Sequence, residues 1–309
     1  MFRNTLRLPT IVQALRRKFS RDTHPNIYKR NEQFLDILLN DIASSGVRDD
    51  GSIIFEKMYD NKVGLMTINN PNRKGAISSR MMLKLADIAY DHEIKSELSC
   101  LIIRGIGKSF CSGLDLNLAK RVINTPNLGA LMSSFMTDCF NTIRNSEVIS
   151  VCLLAGPAIG GGSEIATVGD FRLMSRDSCV QFVHAKIGAS PGWGGASRAY
   201  DIMGRSQALR ALGSSKIITP EEALRIGMCD EIIDLPTDMQ GADRDEALLK
   251  RTIVFLEQFL LQPYPQSVKG IKSILSKNCK QEMEETERKV FYKRWFCEDN
   301  LHALKIKNK

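Results

Sequence analysis

One feature constrains the fold of this 309-residue chain more than any other: an uninterrupted apolar run that is followed by three consecutive glycines. Residues 148–156 read VISVCLLAG, and the glycines at 160–162 stand directly before Ser163 and Glu164. An apolar run of this length predicts a strand that is buried on both faces, as in a parallel sheet. The chain must therefore turn from a buried strand into a helix whose start is nearly free of side chains.

The rest of the chain alternates between strand-like and helix-like segments. Residues 52–68 form two short β-like runs around the turn 59–62, which predicts a hairpin. Helices are predicted over residues 31–43, 78–94, 126–145 and 219–227, and further strands over 100–105, 171–175 and 179–183. From about residue 243 the pattern is helical with a break at 262–267. The sequence thus predicts a basic extension plus one helix (1–50), an α/β core (51–242) and a helical C-terminal region (243–309).

The net charge of +8 lies largely at the two ends of the chain. Residues 1–20 contain no acid and are Arg-rich and amphipathic, which is typical of a mitochondrial transit peptide or of a basic extension. Eight scattered cysteines with no CxxC pair indicate reduced thiols and no zinc site. No apolar run approaches the roughly 20 residues of a membrane span. No RNA- or DNA-binding signature is found either, so neither a membrane nor a nucleic acid is expected as a partner.

The glycines at 160–162 fit none of three known motifs. A P-loop fails because Gly162 stands where lysine would meet the phosphates, and a dinucleotide GxGxxG fingerprint is not found. A nucleophile elbow fails because Ile165 replaces its last glycine. What remains is a helix N-terminus whose unpaired N–H groups could stabilise a developing negative oxygen. Close packing of strand against helix is the alternative reading.

A second tight turn follows another buried strand. Residues 108–116 read KSFCSGLDL, with the small residues Cys111, Ser112 and Gly113 ahead of Asp115. Two such turns, each after a buried strand, could each present one N–H to the same oxygen.

With both turns identified, the chain resembles the crotonase (enoyl-CoA hydratase/isomerase) superfamily over residues 52–300. The matching segments occur in the family's order: NNPNRKGAIS (69–78), SFCSGLDL (109–116), AGPAIGGGSEIATVGDFRLMS (155–175), IGASPGWGGASR (187–198) and ITPEEALRIGMCDEII (218–233). The resemblance implies an α/β fold of the ClpP/crotonase-like type, a spiral of ββα units. It also implies a helical C-terminal region that drives formation of a homotrimer or homohexamer.

The resemblance also implies roles for individual residues. The peptide N–H groups of Ser112 and Gly161 correspond to the oxyanion hole that binds the thioester oxygen of an acyl-CoA. Substrate-binding roles are implied for Ala76, Gly113, Asp115 and Gly162, although Asp115 more simply fixes the turn.

The chain departs from the hydratase pattern at one catalytic position. Family hydratases carry two glutamates that hold the attacking water; Glu164 matches the first, and His184 stands at the second. Hydration by a glutamate pair is therefore not expected, whereas imidazole can bind an anion or move a proton near neutral pH. Trp193 replaces a smaller residue and is expected to narrow the acyl pocket or to be a core aromatic.

These features are most similar to the superfamily members that decarboxylate 2-alkylmalonyl-CoA thioesters. The expected reaction converts ethylmalonyl-CoA into butyryl-CoA, with methylmalonyl-CoA as a poorer substrate, through an enolate held by the two amides. Glu164 and His184 both remain candidates for the proton donor. No cofactor or metal is expected, since CoA belongs to the substrate. The resemblance implies a cytosolic enzyme, whereas the basic N-terminus suggests the mitochondrial matrix as the alternative. An enoyl-CoA hydratase or isomerase and a non-catalytic binder of acyl-CoA or RNA are the alternatives.

Overall fold

The computed structural model of the protein describes residues 25–44, 51–91, 96–236, 238–277, 279–294 and 297–303. The basic segment expected at residues 1–20 lies outside the described residues, as does the end of the chain at 304–309. No helix in the described part is long and apolar enough to cross a membrane.

A six-stranded sheet forms the centre of the fold. The strands are β1 (Ser52–Met58), β2 (Val63–Asn69), β3 (Cys100–Gly105), β4 (Ile149–Leu154), β5 (Ala158–Ile159), β6 (Phe171–Ser175), β7 (Val180–Gln181) and β8 (Glu231–Ile233). The main sheet has the order β1-β2-β3-β4-β6-β8, in which β1 and β2 form the predicted antiparallel hairpin and the other neighbours are parallel. Strands β5 and β7 form a separate parallel pair. The predicted α/β architecture is thereby confirmed.

Helices cover both faces of the main sheet. The α-helices are α1 (Pro25–Ser44), α2 (Ser79–Ala89), α3 (Leu116–Arg121), α4 (Pro126–Arg144), α5 (Gly161–Ala166), α6 (Gly195–Ser214, kinked at Gly204), α7 (Pro220–Arg225), α8 (Gly241–Leu260), α9 (Pro265–Leu275), α10 (Lys280–Arg294) and α11 (Glu298–Ala303). Two 3₁₀ helices, Pro71–Arg73 and Val183–Ile187, lie in the connections.

Local sequence signals explain where several helices begin. The side chain of Ser78 accepts a hydrogen bond from the Met81 N–H at the start of α2, as Thr125 does from Leu128 at the start of α4. At α7 the Thr219 hydroxyl accepts from the Glu222 N–H, and the Glu222 carboxylate pairs with Lys216. The start of α5 has no such cap, since its N-cap residue is a glycine.

Strand β4 divides the interior into two cores, because successive side chains of a strand point to opposite faces. All six of its residues are buried, as the apolar run predicts. Val151 and Leu153 pack in a core covered by α8, whereas Cys152 and Leu154 pack in a larger core covered by α1, α2 and α4. The two tight turns singled out by the sequence belong to the larger core.

A buried ion pair joins the C-terminal helices to the sheet. Lys272 on α9 is 5% exposed, and its Nζ lies 2.5 Å from Asp170 Oδ2 and donates to the Val148 carbonyl. The same Asp170 oxygen accepts from the Ser150 N–H and hydroxyl at 2.7 and 2.9 Å. Burial lowers the pKa of Lys272, and the charge of Asp170 opposes that shift.

Substitution of Asp170 by Asn should destabilise the protein. The change leaves the Lys272 ammonium buried without a counter-charge, at a cost of about 2–3 kcal/mol in the free energy of unfolding. Urea denaturation measures this loss. The matched control is Glu246→Gln, which removes the partner of Lys250 on the solvent-exposed face of α8 and should leave the denaturation midpoint unchanged. Equal midpoints for all three proteins would contradict a stabilising role for the buried pair.

Candidate active site

The two tight turns predicted from the sequence lie against each other. Cys111 forms a parallel bridge with Ala158, and its carbonyl accepts a hydrogen bond from the Ile159 N–H at 2.9 Å. A Cβ placed on Gly113 would lie only 2.6 Å from the Gly161 nitrogen. Gly113 also has a φ of 90°, which favours glycine. Only a residue without a side chain allows this approach.

The approach brings two unpaired amides to one cavity. In the described part of the chain, neither the Ser112 N–H nor the Gly161 N–H donates to a protein acceptor. Gly161 is the first residue of α5, where backbone N–H groups have no partner within the helix. Both residues line the same cavity of about 690 Å³. Two unpaired amides on one cavity are what an oxyanion hole requires, and that role for Ser112 and Gly161 stays a prediction.

The glycines at 161 and 162 are also required by packing. A Cβ on Gly161 would lie 2.5 Å from Cζ3 of Trp193, and one on Gly162 would lie 1.9 Å from the Cys111 carbonyl oxygen. Protein atoms therefore fill the space of the missing side chains. Close packing therefore explains the missing Cβ atoms, while stabilisation of a negative oxygen by the Gly161 amide stays a prediction.

Most of the site residues predicted from the sequence line this cavity. The lining includes Ala76, Ser112, Asp115, Gly161, Glu164, His184 and Trp193. Gly113 and Gly162 are not among the lining residues, and a Cβ at either position would meet the backbone of the other turn. Both glycines thus let the two turns approach, and their contact with substrate stays a prediction.

The Glu164 carboxylate is buried and bound to backbone amides. Its Oε2 accepts from the N–H groups of Trp193 at 2.7 Å and Gly195 at 2.9 Å, and its Oε1 accepts from Gly192 at 3.2 Å. These donors surround the start of α6, where the helix dipole favours negative charge. Each amide bond to a carboxylate is charge-assisted and therefore strong. Glu164 is thus held as a hydrogen-bond acceptor.

His184 completes a pair with this carboxylate. It lies on the 3₁₀ helix Val183–Ile187, is 8% exposed, and places Nε2 3.2 Å from Glu164 Oε1. Its Nδ1 is buried and has no hydrogen-bond partner among the described residues. An unpaired buried polar atom is costly and is more often found at functional sites than in an inert core.

Trp193 is both a core aromatic and part of the cavity wall. It is 2% exposed, and its ring centroid lies 6.1 Å from that of Phe140. The interpretation as a core aromatic is confirmed, and narrowing of the acyl pocket by this ring stays a prediction.

Asp115 fixes the turn that carries Ser112. Its Oδ1 accepts from the Asn117 N–H at 2.7 Å and the Leu118 N–H at 3.3 Å, which caps α3, and its other oxygen pairs with Arg73. Cys111 beside it is inert, since burial raises the pKa of its thiol to about 12. Among the described residues no group of three or more His, Cys, Asp or Glu is arranged to hold a metal ion.

A cationic cavity of about 400 Å³ adjoins the larger one. The two share Arg73, Asp115, and Asn117, and the smaller cavity also contains Lys120 and Arg121. The Arg121 guanidinium bonds Asp41 on α1 at 2.7 and 3.1 Å. Three cationic side chains thus line this cavity, of which Arg73 and Arg121 are paired with carboxylates.

Sequence reasoning missed the residues that hold Glu164 in place. The segment 191–195, which leads into α6, is rich in glycine, as is the segment 156–162. This glycine content was the signal in the sequence for a second set of backbone amide donors. Arg198, buried beneath Glu164, gave no signal in the sequence.

Comparison with known proteins places this site in a family. The model of the enoyl-CoA hydratase/isomerase family matches residues 59–297. The chain belongs to this family. It is similar to ethylmalonyl-CoA decarboxylase of Rattus norvegicus, with 38% identity over 84% of each chain. With ethylmalonyl-CoA decarboxylase of Homo sapiens it shares 36% identity, over 84% of this chain and 82% of the relative.

Solved structures of the family confirm the crotonase fold. Enoyl-CoA hydratase from Bacillus anthracis superposes with a TM-score of 0.72 at 18% identity, over 82% of this chain and 94% of the other. A Thermobifida fusca protein, solved in complex with acetoacetyl-CoA, gives a TM-score of 0.66 at 22% identity, over 78% and 94%.

Replacement of Gly161 by Ala should destabilise the protein. The added methyl group would meet the Trp193 ring at 2.5 Å, and overpacking of this kind costs about 1–3 kcal/mol. Thermal denaturation measures the loss.

The control is Gly129→Ala within α4, where a Cβ meets no atom within 4 Å. That change should raise stability by about 0.5–1 kcal/mol, because alanine favours helix. The double variant Gly161→Ala/Trp193→Phe should recover part of the loss. If Gly161→Ala is as stable as the unaltered protein, the ring does not occupy the space assigned to it.

Proposed function

We propose that this protein decarboxylates 2-alkylmalonyl-CoA thioesters, with ethylmalonyl-CoA converted into butyryl-CoA and carbon dioxide. The observation that carries the proposal is the meeting of two unpaired amides, Ser112 and Gly161, with the Glu164–His184 pair in one cavity. The names of the similar rat and human proteins support the same reaction.

The first step breaks the bond between Cα and the carboxylate carbon. Carbon dioxide leaves, and the bonding electron pair spreads from Cα onto the thioester oxygen as an enolate. The N–H groups of Ser112 and Gly161 would bind that oxygen as its charge grows. One donor of this type is worth about 3 kcal/mol of barrier. The thioester itself accepts the electrons, so the step needs no further group.

The second step adds a proton to Cα, and the surroundings of Glu164 favour His184 as its source. Three backbone N–H groups bind the Glu164 oxygens, and an ionised carboxylate can only accept. His184 is the remaining titratable side chain of the pair. As imidazolium it would donate to Cα and return to the neutral form, with Glu164 orienting its ring through Nε2.

The cationic cavity suits the phosphates of CoA. Arg73, Lys120 and Arg121 line this smaller cavity. It adjoins the cavity of about 690 Å³, with which it shares Arg73, Asp115 and Asn117. The acetoacetyl-CoA complex of the Thermobifida fusca protein supports an acyl-CoA substrate for this fold. Assembly into a trimer or hexamer and a cytosolic location stay predictions.

Enoyl-CoA hydration is the second candidate, because the Bacillus anthracis neighbour is a hydratase. The arrangement around Glu164 weighs against it. Its carboxylate is bound to three amides and to His184, and the second hydratase glutamate is replaced by that histidine.

A panel of four thioesters tests the proposed function. Purified protein incubated separately with malonyl-, methylmalonyl-, ethylmalonyl- and crotonyl-CoA should release carbon dioxide fastest from ethylmalonyl-CoA, more slowly from methylmalonyl-CoA, and leave crotonyl-CoA unchanged. Mass spectrometry of the CoA products measures each reaction. Formation of 3-hydroxybutyryl-CoA without carbon dioxide would establish the hydratase instead. A rise in Tm with ethylmalonyl-CoA but no turnover would indicate a binding protein.

His184→Gln should lower kcat for ethylmalonyl-CoA by about 100-fold, with little change in KM, because general acid catalysis contributes a factor of this size or more. The control is His302→Gln, which removes a histidine paired with Tyr264 among the C-terminal helices. That variant should retain the unaltered kcat. Normal turnover by the His184 variant would remove histidine from the mechanism.

A further inference from the structure

Arg198 is a buried cation at the start of a helix, which is an unfavourable place for a positive charge. It lies in the first turn of α6 and is 2% exposed. A positive charge at a helix N-terminus opposes the helix dipole, and burial of a charge is costly unless it is compensated. Burial lowers the pKa of Arg198 to about 10, and the negative charge of Glu164 opposes this shift. The side chain therefore stays charged at neutral pH.

The compensation comes from the backbone of the active site. Arg198 Nη2 donates to the Trp193 carbonyl at 2.7 Å and to the Glu164 carbonyl at 3.2 Å. Nε donates to Thr167 Oγ1 at 2.9 Å, and that hydroxyl donates to the same Glu164 carbonyl at 2.6 Å. The Nη2 atom of Arg198 thus holds the backbones of Glu164 and Trp193 together. The same two residues also meet through the bond from the Trp193 N–H to the Glu164 carboxylate.

The same loop is held from its other side. Ser133 Oγ on α4 donates to the Gly192 carbonyl at 2.5 Å, while the Gly192 N–H donates to Glu164. The Trp193 ring then lies against Gly161, whose amide is one of the two unpaired donors. A shift of the Trp193 backbone would therefore be transmitted to the Gly161 peptide.

We propose that Arg198 is a positioning residue of this active site, which fixes the Trp193 and Glu164 backbones and through them the Gly161 amide and the His184 ring. Its hydrogen bonds reach the backbones of Glu164 and Trp193, whereas Arg73 and Lys120 line the adjoining cavity that is assigned to the CoA phosphates. The kinetic part of this inference rests on the proposed function.

Two substitutions test the role of Arg198. Arg198→Lys keeps the charge but loses the planar fork that reaches several acceptors, and Arg198→Gln removes the charge as well. We expect kcat for ethylmalonyl-CoA to fall about 10-fold for the lysine variant and about 100-fold for the glutamine variant, since misplacement by about 1 Å costs this much. KM should stay within about threefold of its original value.

Arg172→Gln is the matched control. Arg172 is also buried and donates to the carbonyls of Gly169 and Asp170 and to the Asp230 carboxylate, so these bonds involve neither Trp193 nor Glu164 nor Thr167. Its loss should lower Tm and leave kcat unchanged. If both Arg198 variants lower Tm while kcat matches that of the control, Arg198 is only structural and the proposal is wrong. If Arg198→Gln does not fold, the lysine variant decides by the same criterion.

A fluorescence measurement separates this inference from the proposed function. The chain contains two tryptophans, so a Trp295→Phe background leaves Trp193 as the sole emitter. In that background Arg198→Lys should shift the emission of Trp193 to longer wavelength, and Arg172→Gln should not. Failure of the substrate panel with this shift intact would overturn the decarboxylase and leave the positioning role. An unchanged emission spectrum would overturn the positioning role whatever the substrate.

Discussion

The buried carboxylate of Glu164 is the interaction on which the rest of the site depends. Three backbone N–H groups of the segment 192–195 converge on its two oxygens, and His184 Nε2 lies against one of them. Hydrogen bonds from backbone N–H groups to a carboxylate are charge-assisted and strong. The Glu164 side chain therefore holds the backbone at the start of α6 in place. It also fixes the imidazole. The residue that the hydratase pattern would assign to water activation is here bound to three backbone amides.

The glycine-rich turns serve packing and chemistry with the same atoms. The absence of a Cβ at Gly113 and Gly162 lets the turn after β3 approach the turn after β4, and at Gly161 it admits the Trp193 ring. Among the described residues neither the Ser112 N–H nor the Gly161 N–H donates to a protein acceptor, and both residues line the same cavity. The Gly161 amide is unpaired because it lies at the start of α5.

The sequence predicted most of the fold because its signals are local. The apolar run 148–156 predicted a strand buried on both faces, and β4 is buried along its whole length. Helices were predicted over residues 78–94 and 219–227, and Ser78 and Thr219 cap the helices that the structure has there. The order of the family segments predicted the crotonase fold, which the structural neighbours confirm. For the site, the two turns and the Glu164–His184 pair were predicted, and all four residues line one cavity.

What the sequence by itself determined was the secondary structure, the family and the residue types at the reacting end of the cavity. The tertiary structure alone decided what each polar group is bonded to. Glu164 meets amides about 30 residues further along the chain, and Arg198 reaches back to the Glu164 carbonyl. These bonds depend on distances across the fold, and no periodicity or motif encodes them. The division follows from physics: propensity and capping act within a few residues, whereas burial and hydrogen bonding join residues that only folding brings together.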